Sequence, residues 1–421
     1  MSEPAKIAIV GAGVSGLVVA HLLHDKHDIT VFEAADYAGG HTNTIRVDTP
    51  NETHHVDTGF IVFNDRNYPL FERLLSKLGV PWQPSTMSFG VSDGRGDFEY
   101  SGASPNALFA KRAHLWTPWF HRMVADLARF NRAARELLAA PGAAGDGPSL
   151  GEWLERLRFS RPFIDRLIVP QASAVWSADP RQMWSFPARF LAEFFDHHGM
   201  LGFRGRPRWR VVQGGSARYV EALTAPFAHR IRLRTPVRAV RRERGGVVVS
   251  PWRGEAERFD EVVLATHSNQ ALAMLTDATV LERSVLAAIP YQVNEAVLHT
   301  DVRLLPRRRQ AWASWNYHWR PEPGQRATVT YHMNRLQSLR AEREFCVTLN
   351  RTEAIDPARI VRKIAYAHPV YTAEGVAAQE RFREVSGRDR VHFCGAYWGW
   401  GFHEDGVRSA LRVAERFGAH L

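Results

Sequence analysis

Cysteine is nearly absent from this chain, and long apolar runs are missing altogether. Among 421 residues the only cysteines are Cys346 and Cys394, too few for a disulfide scaffold or a cysteine-based metal site. No uninterrupted apolar run reaches the ~20 residues needed to span a bilayer. No signal peptide is visible, since the N-terminus enters an apolar strand pattern almost at once. We therefore expect reduced, buried cysteines, no metal and a cytoplasmic protein.

Lysine is also scarce, although the chain is basic. It has five lysines, 49 arginines and a net charge of +10. One interpretation is a compositional bias that uses arginine in place of lysine, and the other is attraction to an anionic surface. The arginines are scattered and no nucleic-acid-binding module is recognisable, so we expect no nucleic-acid partner. Peripheral contact with the inner membrane surface stays open.

Residues 107–123 bear on that membrane question because they mix aromatic and basic side chains. Such a mixture on a helical stretch suits a bilayer interface. The alternative, an ordinary amphipathic helix packed on its own domain, is the commoner use of such a pattern. The sequence leaves both open.

The first forty residues carry the strongest signal. An apolar run at Lys6–Val10 leads into Gly11-Ala-Gly13-Val14-Ser15-Gly16, and helical apolar spacing follows. A second apolar run ends at Glu33. This strand, glycine turn, helix, strand and acid is the order in which a Rossmann unit binds a dinucleotide. The glycines permit the turn, the close approach of a pyrophosphate and tight helix packing, and the helix N-terminus favours phosphate.

Glu33 narrows the choice of dinucleotide. A carboxylate can accept hydrogen bonds from a ribose 2′-hydroxyl, and its charge would repel a 2′-phosphate. NADP is therefore disfavoured, and NAD or FAD is favoured. A second glycine pair, Gly39-Gly40, follows six residues after the acid, and an extended FAD has a use for it that NAD lacks.

At this second glycine pair the sequence resembles the amine oxidase and phytoene desaturase group of FAD-dependent flavoproteins. The usual Gly-Gly-Arg of that group is Gly39-Gly40-His41 here. The resemblance extends to Asp57-Thr-Gly59, to Asp260–Thr266 and to the glycine-aromatic stretch from Gly395 to Phe402. It implies an α/β fold, with a Rossmann-like, glutathione-reductase-type FAD-binding domain and an interleaved α+β substrate domain. The implied ranges are 1–75, 205–278 and 385–421 for FAD, and 76–204 and 279–384 for the substrate.

The glycine motif and the family resemblance together imply a set of residues around FAD. These are Gly11, Gly13, Val14, Ser15, Gly16, Glu33, Ala34, Gly40, His41, Thr42, Gly59, Val237, Ala265, Thr266, Gly395, Trp400, Phe402 and Gly406. Where the group usually carries an acid for the ribityl chain, this chain has Ala396. Glu404 or Asp405 could replace that contact.

The inner segments narrow the resemblance further. Ser314–Tyr317, Tyr331–Gln337 and His368–Val370 are similar to a bacterial subfamily of NAD/FAD-binding proteins. Its members are commonly encoded beside cyclopropane-fatty-acid-synthase-type methyltransferases. The resemblance implies a fatty acyl or phospholipid substrate, such a methyltransferase as a partner, and desaturation or double-bond isomerisation by hydride transfer to flavin N5.

Few residues can be given a chemical role. We predict His403, Tyr317, His318 and Glu404 as catalytic candidates, with His332 and His368 as further proton-handling candidates. Three functions stay open: an oxidoreductase or isomerase of fatty acyl chains, a flavin amine oxidase, and a non-catalytic flavoprotein partner of a lipid methyltransferase. An amine oxidase more often has an aromatic cage and a lysine beside N5. Trp398 could supply one wall of that cage and Lys363 the lysine, so the acyl function is favoured without excluding the amine.

Overall fold

The computed structural model describes residues 4–142, 147–202, 205–320 and 326–421. Part of the loop predicted between Pro141 and Pro148 lies outside these ranges. The described chain forms two large hydrophobic cores, one around a parallel sheet and one around a larger, mostly antiparallel sheet, and a small third cluster of Val297, Leu304 and Ile355.

The parallel sheet is the Rossmann unit that the N-terminal motif predicts. All neighbouring strands run parallel, as expected where helices cover both faces. The strands are nearly continuous in β-branched and other apolar residues, and Ile7 and Ile9 are fully buried. The strands in spatial order are Ile231–Arg232, Asp28–Phe32, Lys6–Val10, Glu261–Leu264 and Val391–Phe393.

The second sheet has seven strands and carries one wall of the candidate site. Its order is Ile360–Pro369, Tyr291–His299, Cys346–Leu349, Val329–His332, Trp315–His318, Phe89–Ser92 and Glu99–Ser101. All pairings are antiparallel except that of Trp315–His318 with Phe89–Ser92. The last two strands are the hairpin predicted over Met87–Tyr100, which is confirmed.

Three small sheets connect these units. They are Thr44–Asp48 with Thr53–Asp57, then Val237–Glu243 with Gly246–Pro251 and Glu257–Phe259, and finally Phe63–Asn64, Trp209–Val212 and Trp82–Pro84.

Helices cover both sheets. The α-helices are Val14–Leu23, Pro69–Lys77, Pro105–Leu108, Pro118–Ala139, Leu150–Arg156, Arg161–Phe163, Val169–Trp176, Ala188–His197, Ala217–Thr224, Ser268–Met274, Val280–Ala287, Met333–Leu336, Ala373–Glu380, Phe382–Val385 and His403–Ala414. A π-helical turn, Ile164–Ile168, joins two of them. Within the described ranges, no helix is both long enough and apolar enough to cross a bilayer.

This architecture confirms the predicted α/β fold class. The first, middle and last parts of the chain supply the Rossmann sheet, while the intervening parts supply the seven-stranded sheet and a helical layer. The numerical domain limits stay a prediction.

Candidate active site

The first glycine turn lies where the Lys6–Val10 strand ends. Gly11 has a φ of +103°, and a Cβ there would lie 2.8 Å from the Ala265 carbonyl oxygen, so only glycine suits this turn. Gly13 is different, because a Cβ on it would meet no atom within 4 Å. It opens onto a cavity at the N-terminus of the Val14–Leu23 helix. That terminus, all of it within the described residues, has no side-chain cap.

These features fit the pyrophosphate of a dinucleotide. Uncapped N–H groups and the positive end of the helix dipole favour an anion. The open side of Gly13 leaves space for that anion to approach the backbone.

Glu33 is held by the backbone at the end of the neighbouring strand. One of its carboxylate oxygens accepts a hydrogen bond from the Ala12 N–H and the other from the Ala35 N–H, both at 2.8 Å. The two bonds fix the carboxylate beside the glycine turn, and the side chain lines the same cavity. Each oxygen keeps lone-pair capacity for a ribose hydroxyl.

The second glycine pair packs directly on the first turn. Gly39 forms an isolated parallel bridge with Gly13, and a Cβ on Gly40 would lie 3.1 Å from the Gly13 Cα. Gly59 approaches the same place from the bend after the Thr53–Asp57 strand, and a Cβ on it would lie 2.2 Å from the His41 carbonyl oxygen. Three chain segments therefore meet at a distance that side chains would prevent.

One continuous cavity of about 2310 Å³ runs from this glycine cluster into the substrate side of the molecule. Single ligand sites usually occupy 300–1,000 Å³, so the cavity has room for FAD together with a second large molecule. Sixteen of the residues predicted around FAD or as catalytic candidates line it, and so does His368. The sixteen are Gly11, Gly13, Val14, Ser15, Glu33, Ala34, Gly40, His41, Gly59, Val237, Ala265, Thr266, Gly395, Trp400, Phe402 and His403.

Three residues predicted around FAD do not line the cavity. A Cβ on Gly16 would lie 2.0 Å from the Gly11 carbonyl oxygen, and one on Gly406 would lie 2.7 Å from a Val14 methyl group. Both glycines allow close packing of the first and last helices. Thr42 is buried, and its hydroxyl is hydrogen-bonded to Tyr219 and His403. These three therefore shape the site without contacting the cavity.

His403 begins the last helix and lines the cavity. Its Nε2 lies 2.9 Å from the Thr42 hydroxyl and 3.0 Å from the Tyr219 hydroxyl, and its ring stacks on Phe60 at 3.5 Å. Burial holds the pKa of His403 well below its usual range, so the ring is neutral at physiological pH. This neutral imidazole is held by hydrogen bonds at Nε2 and by stacking on one face, so it is better suited to positioning neighbouring groups than to proton transfer.

The other three catalytic candidates lie away from the cavity. Tyr317 is buried in the second core. His318 lies on the opposite face of its strand from Trp315, which lines the cavity, and its Nε2 bonds the Thr330 hydroxyl at 2.7 Å. Their predicted catalytic roles do not fit this placement.

Glu404 also needs correction. Its carboxylate accepts hydrogen bonds from the Leu70 and Phe71 N–H groups, so it caps the Pro69–Lys77 helix. Asp405 accepts from the Phe402 N–H at 3.1 Å and pairs with Arg408. Neither lines the cavity, so neither replaces the ribityl acid absent at Ala396. His332, the further candidate, bonds Glu344 at 2.7 Å and is likewise remote.

Three histidines gather at the centre of the cavity wall. The His41 ring centroid lies 5.4 Å from that of His368 and 5.8 Å from that of His267, and His41 stacks on Tyr366 at 5.0 Å. Asn294 donates to His368 Nδ1 at 2.9 Å, which leaves the His368 proton on Nε2. His267 was not predicted. Its signal was its place at the carboxyl end of a Rossmann strand, where such sheets bind ligands.

The three imidazoles are neutral. Burial lowers the pKa of His368 to about 3 and that of His267 to about 4, and it lowers the pKa of His41 as well. His41 therefore does not replace the positive charge of the arginine usual in the resembling group. Among the described residues, its Nε2 is a buried atom without a hydrogen-bond partner, so it can serve a bound cofactor as a neutral donor or acceptor. In the same ranges, no cluster of His, Cys, Asp or Glu could hold a metal ion.

Charged groups are unevenly distributed along the cavity. Glu33 is the one carboxylate among the described lining residues, and it lies at the glycine end. The five lysines all lie in the described ranges, and none lines the cavity. Lys363, the candidate for an amine oxidase lysine, is exposed on the outer strand Ile360–Pro369.

The outer end of the cavity is apolar with a basic border. Phe109, Val124 and Leu127 form part of its wall, from the segment and helix that follow the predicted hairpin. Arg206 and Arg208 line the cavity from the segment that leads into the Trp209–Val212 strand, and Arg210 lines it from within that strand. Arg210 pairs with Glu72. These arginines had no motif to mark them, because they reach the cavity only through the tertiary fold.

Curated relatives resemble part of the chain. It is 27% identical over 264 residues to AofH of Mycobacterium tuberculosis, named as a candidate flavin-containing monoamine oxidase; the match covers 60% of this chain and 54% of AofH. It is 25% identical over 193 residues to the 15-cis-phytoene desaturase of Arabidopsis thaliana, covering 43% of this chain and 33% of the desaturase. The matches thus span about half of AofH and a third of the desaturase.

Solved structures match along almost the whole chain and show the fold. Cyclohexylamine oxidase of Brevibacterium oxydans superposes with a TM-score of 0.70 at 18% identity, covering 99% of this chain and 100% of the oxidase. The fatty acid isomerase of P. acnes that produces CLA superposes with a TM-score of 0.68 at 16% identity, covering 99% of both chains. The family model for flavin containing amine oxidoreductases matches residues 14–347. The chain therefore belongs to the flavin containing amine oxidoreductase family, whose members are FAD-dependent.

Proposed function

We propose that this protein is an FAD-dependent oxidoreductase of fatty acyl chains, which desaturates or dehydrogenates them or isomerises their double bonds. The observation that carries the proposal is the cavity. It continues past the glycine cluster for a volume larger than one ligand needs, and its outer wall includes Phe109, Val124 and Leu127. An extended apolar chain fills such a space and gains from leaving water.

The charges along the cavity favour an anionic substrate over a cationic one. An ammonium substrate carries a positive charge, and the described lining offers it no carboxylate beyond Glu33 at the adenosine end. Arg206 and Arg208 instead favour a carboxylate or phosphate head group. A fatty acid and a phospholipid share that chemistry.

The bound FAD would supply a hydride acceptor at its N5. The chain's own contribution is a largely apolar site with neutral imidazoles that can hydrogen-bond the cofactor or the substrate. His368 presents an N–H at Nε2, and His41 presents an unpartnered Nε2. We propose these two, rather than Tyr317 or His318, as the side chains that hydrogen-bond the bound cofactor or substrate.

The test is anaerobic reduction of the purified yellow protein. We expect an unsaturated or methyl-branched fatty acid to bleach the flavin absorbance, or to change its double-bond position by gas chromatography without net bleaching. Cyclohexylamine and putrescine should do neither. Bleaching by amines with no change in any fatty acid would overturn the proposal.

Amine oxidation is the second candidate, and one feature favours it. Trp400, Phe402 and Tyr371 bring aromatic rings to the inner cavity wall, where an aromatic cage could hold an amine. Trp398, the predicted cage wall, is buried against Phe382 with ring centroids 5.1 Å apart and does not line the cavity. The same anaerobic assay decides between the two functions.

A further inference from the structure

A pair of apolar side chains faces solvent near the outer end of the cavity. Trp116 is 87% exposed and Leu115 is 42% exposed. They end the short 3₁₀ helix Arg112–Trp116. This helix is anchored by His114, which is buried and stacks on Phe120 at 4.3 Å. The anchor holds the helix in place while Leu115 and Trp116 project outward.

The surroundings of this pair are basic. Residues 102–125 contain Lys111, Arg112 and Arg122 and no aspartate or glutamate. Arg112 is exposed and donates to the Asn106 side chain and to the Phe109 carbonyl, both neutral acceptors. Lys111 faces Asp97 at 3.9 Å, and Arg122 faces the buried Asp126 at 3.3 Å. The local charge is therefore positive on a chain that is positive overall.

The pair is connected to the cavity wall through one side chain. Phe109 lines the cavity, and its ring lies 5.8 Å from the ring of His121. His121 Nε2 donates to the Leu115 carbonyl at 2.9 Å. The surface that carries Leu115 and Trp116 is therefore separated from the cavity wall at Phe109 by the single side chain of His121.

We propose that Leu115 and Trp116 insert into the surface of an anionic phospholipid bilayer, with Lys111 and Arg112 contacting the lipid head groups. Single exposed apolar side chains are common on soluble proteins. Here an exposed tryptophan, an adjoining leucine, an exposed arginine with neutral partners and a neighbouring apolar cavity occur together, which is the chemistry of an interfacial anchor. The bilayer is the occupant because it alone uses all four features. The inference does not rest on the acyl chemistry, since docking is measured without turnover.

Insertion of residue 115 into a bilayer can be measured directly with a fluorescent probe at that position. Cys346 and Cys394 are both buried and burial raises the pKa of both thiols, so a thiol-reactive NBD probe labels an introduced cysteine selectively. The flavin-loaded full chain carrying L115C is labelled and mixed with phosphatidylcholine vesicles that contain roughly 30 mol % phosphatidylglycerol. The matched control is V280C, because Val280 is 85% exposed on a different helix.

We expect the NBD emission of L115C to rise at least about threefold and shift to shorter wavelength with the anionic vesicles. That of V280C should stay unchanged. No change for L115C, or an equal change for V280C, overturns the proposal.

Measuring the binding of variants to vesicles provides a second test of the proposal. W116S should lower binding to anionic vesicles roughly tenfold, and R112E should also weaken it and reduce its salt dependence. V280S should bind as the parent chain does. Flavin absorbance confirms that each variant is folded. Wild-type binding by W116S, or absence of binding by the parent chain, would also overturn the docking surface.

Discussion

Replacing Gly13 by alanine separates cofactor binding from folding. Gly13 has a φ of −77° and a ψ of −179°, which alanine adopts without strain. Its added methyl group would meet no protein atom within 4 Å, so the FAD-free protein should be as stable as before or gain up to about 1 kcal/mol. The methyl group would instead occupy the space that we assign to the pyrophosphate.

The expected loss is worked from the cost of overpacking. Forcing a methyl group against a bound group costs about 1–3 kcal/mol, which corresponds to a Kd that is weaker by roughly fivefold to 150-fold. FAD-free protein is titrated with FAD by fluorescence quenching, and its unfolding is followed by circular dichroism. A wild-type Kd for G13A would refute the assignment of this space.

G16A is the matched control for that experiment. Its Cβ would lie 2.0 Å from the Gly11 carbonyl oxygen, so the helix must shift from the sheet. We expect G16A to lose stability with or without FAD. If G16A unfolds as the parent protein does, the close-packing role of this glycine is wrong.

Three further predictions concern other residues. Glu404→Gln should lower the free energy of unfolding by about 1–2 kcal/mol, because a neutral amide caps the Pro69–Lys77 helix less well than a carboxylate, while FAD binding stays unchanged in the same titration. Burial lowers the pKa values of His318 and His368 to about 3, so the unfolded chain takes up protons below pH 6.5 that the folded chain refuses. The free energy of unfolding should therefore be highest above pH 6.5 and fall as the pH drops toward 3, by roughly 1 kcal/mol per histidine at pH 5.5. Chemical denaturation at each pH measures this change. A free energy of unfolding that does not vary with pH would contradict neutral rings. Leu127→Trp should narrow the outer cavity, so that turnover of long acyl chains falls at least about tenfold while that of short ones is kept; an equal loss for both lengths points to misfolding.

Local motifs predicted the cofactor half of the molecule well. Each glycine of the first turn has its partners within a few residues or on an adjacent strand, so spacing alone specifies what it does. The strand, turn, helix and acid of residues 6–33 therefore appear where they were expected. The α/β class follows from the same alternation.

The substrate half of the molecule depends on tertiary contacts that the spacing of residues in the sequence does not specify. In the Trp315–His318 strand, a shift of one position moves a side chain to the opposite face of the sheet. Trp315 therefore reaches the cavity, while His318 points away from it. Glu404 follows a residue that lines the cavity, yet its carboxylate turns to another helix. The outer cavity joins residues as distant as Phe109 and Arg208, and no local pattern connects them.

The bond between Thr42 and His403 has a consequence for biosynthesis. The two residues are separated by 361 positions, and His403 lies near the end of the chain. The glycine turn near residue 11 is synthesised early, but the hydrogen bond between Thr42 and His403 cannot form until the His403–Ala414 helix has left the ribosome. A nascent chain should therefore acquire its cofactor only after the His403–Ala414 helix has emerged, because the contact joins residues far apart in sequence.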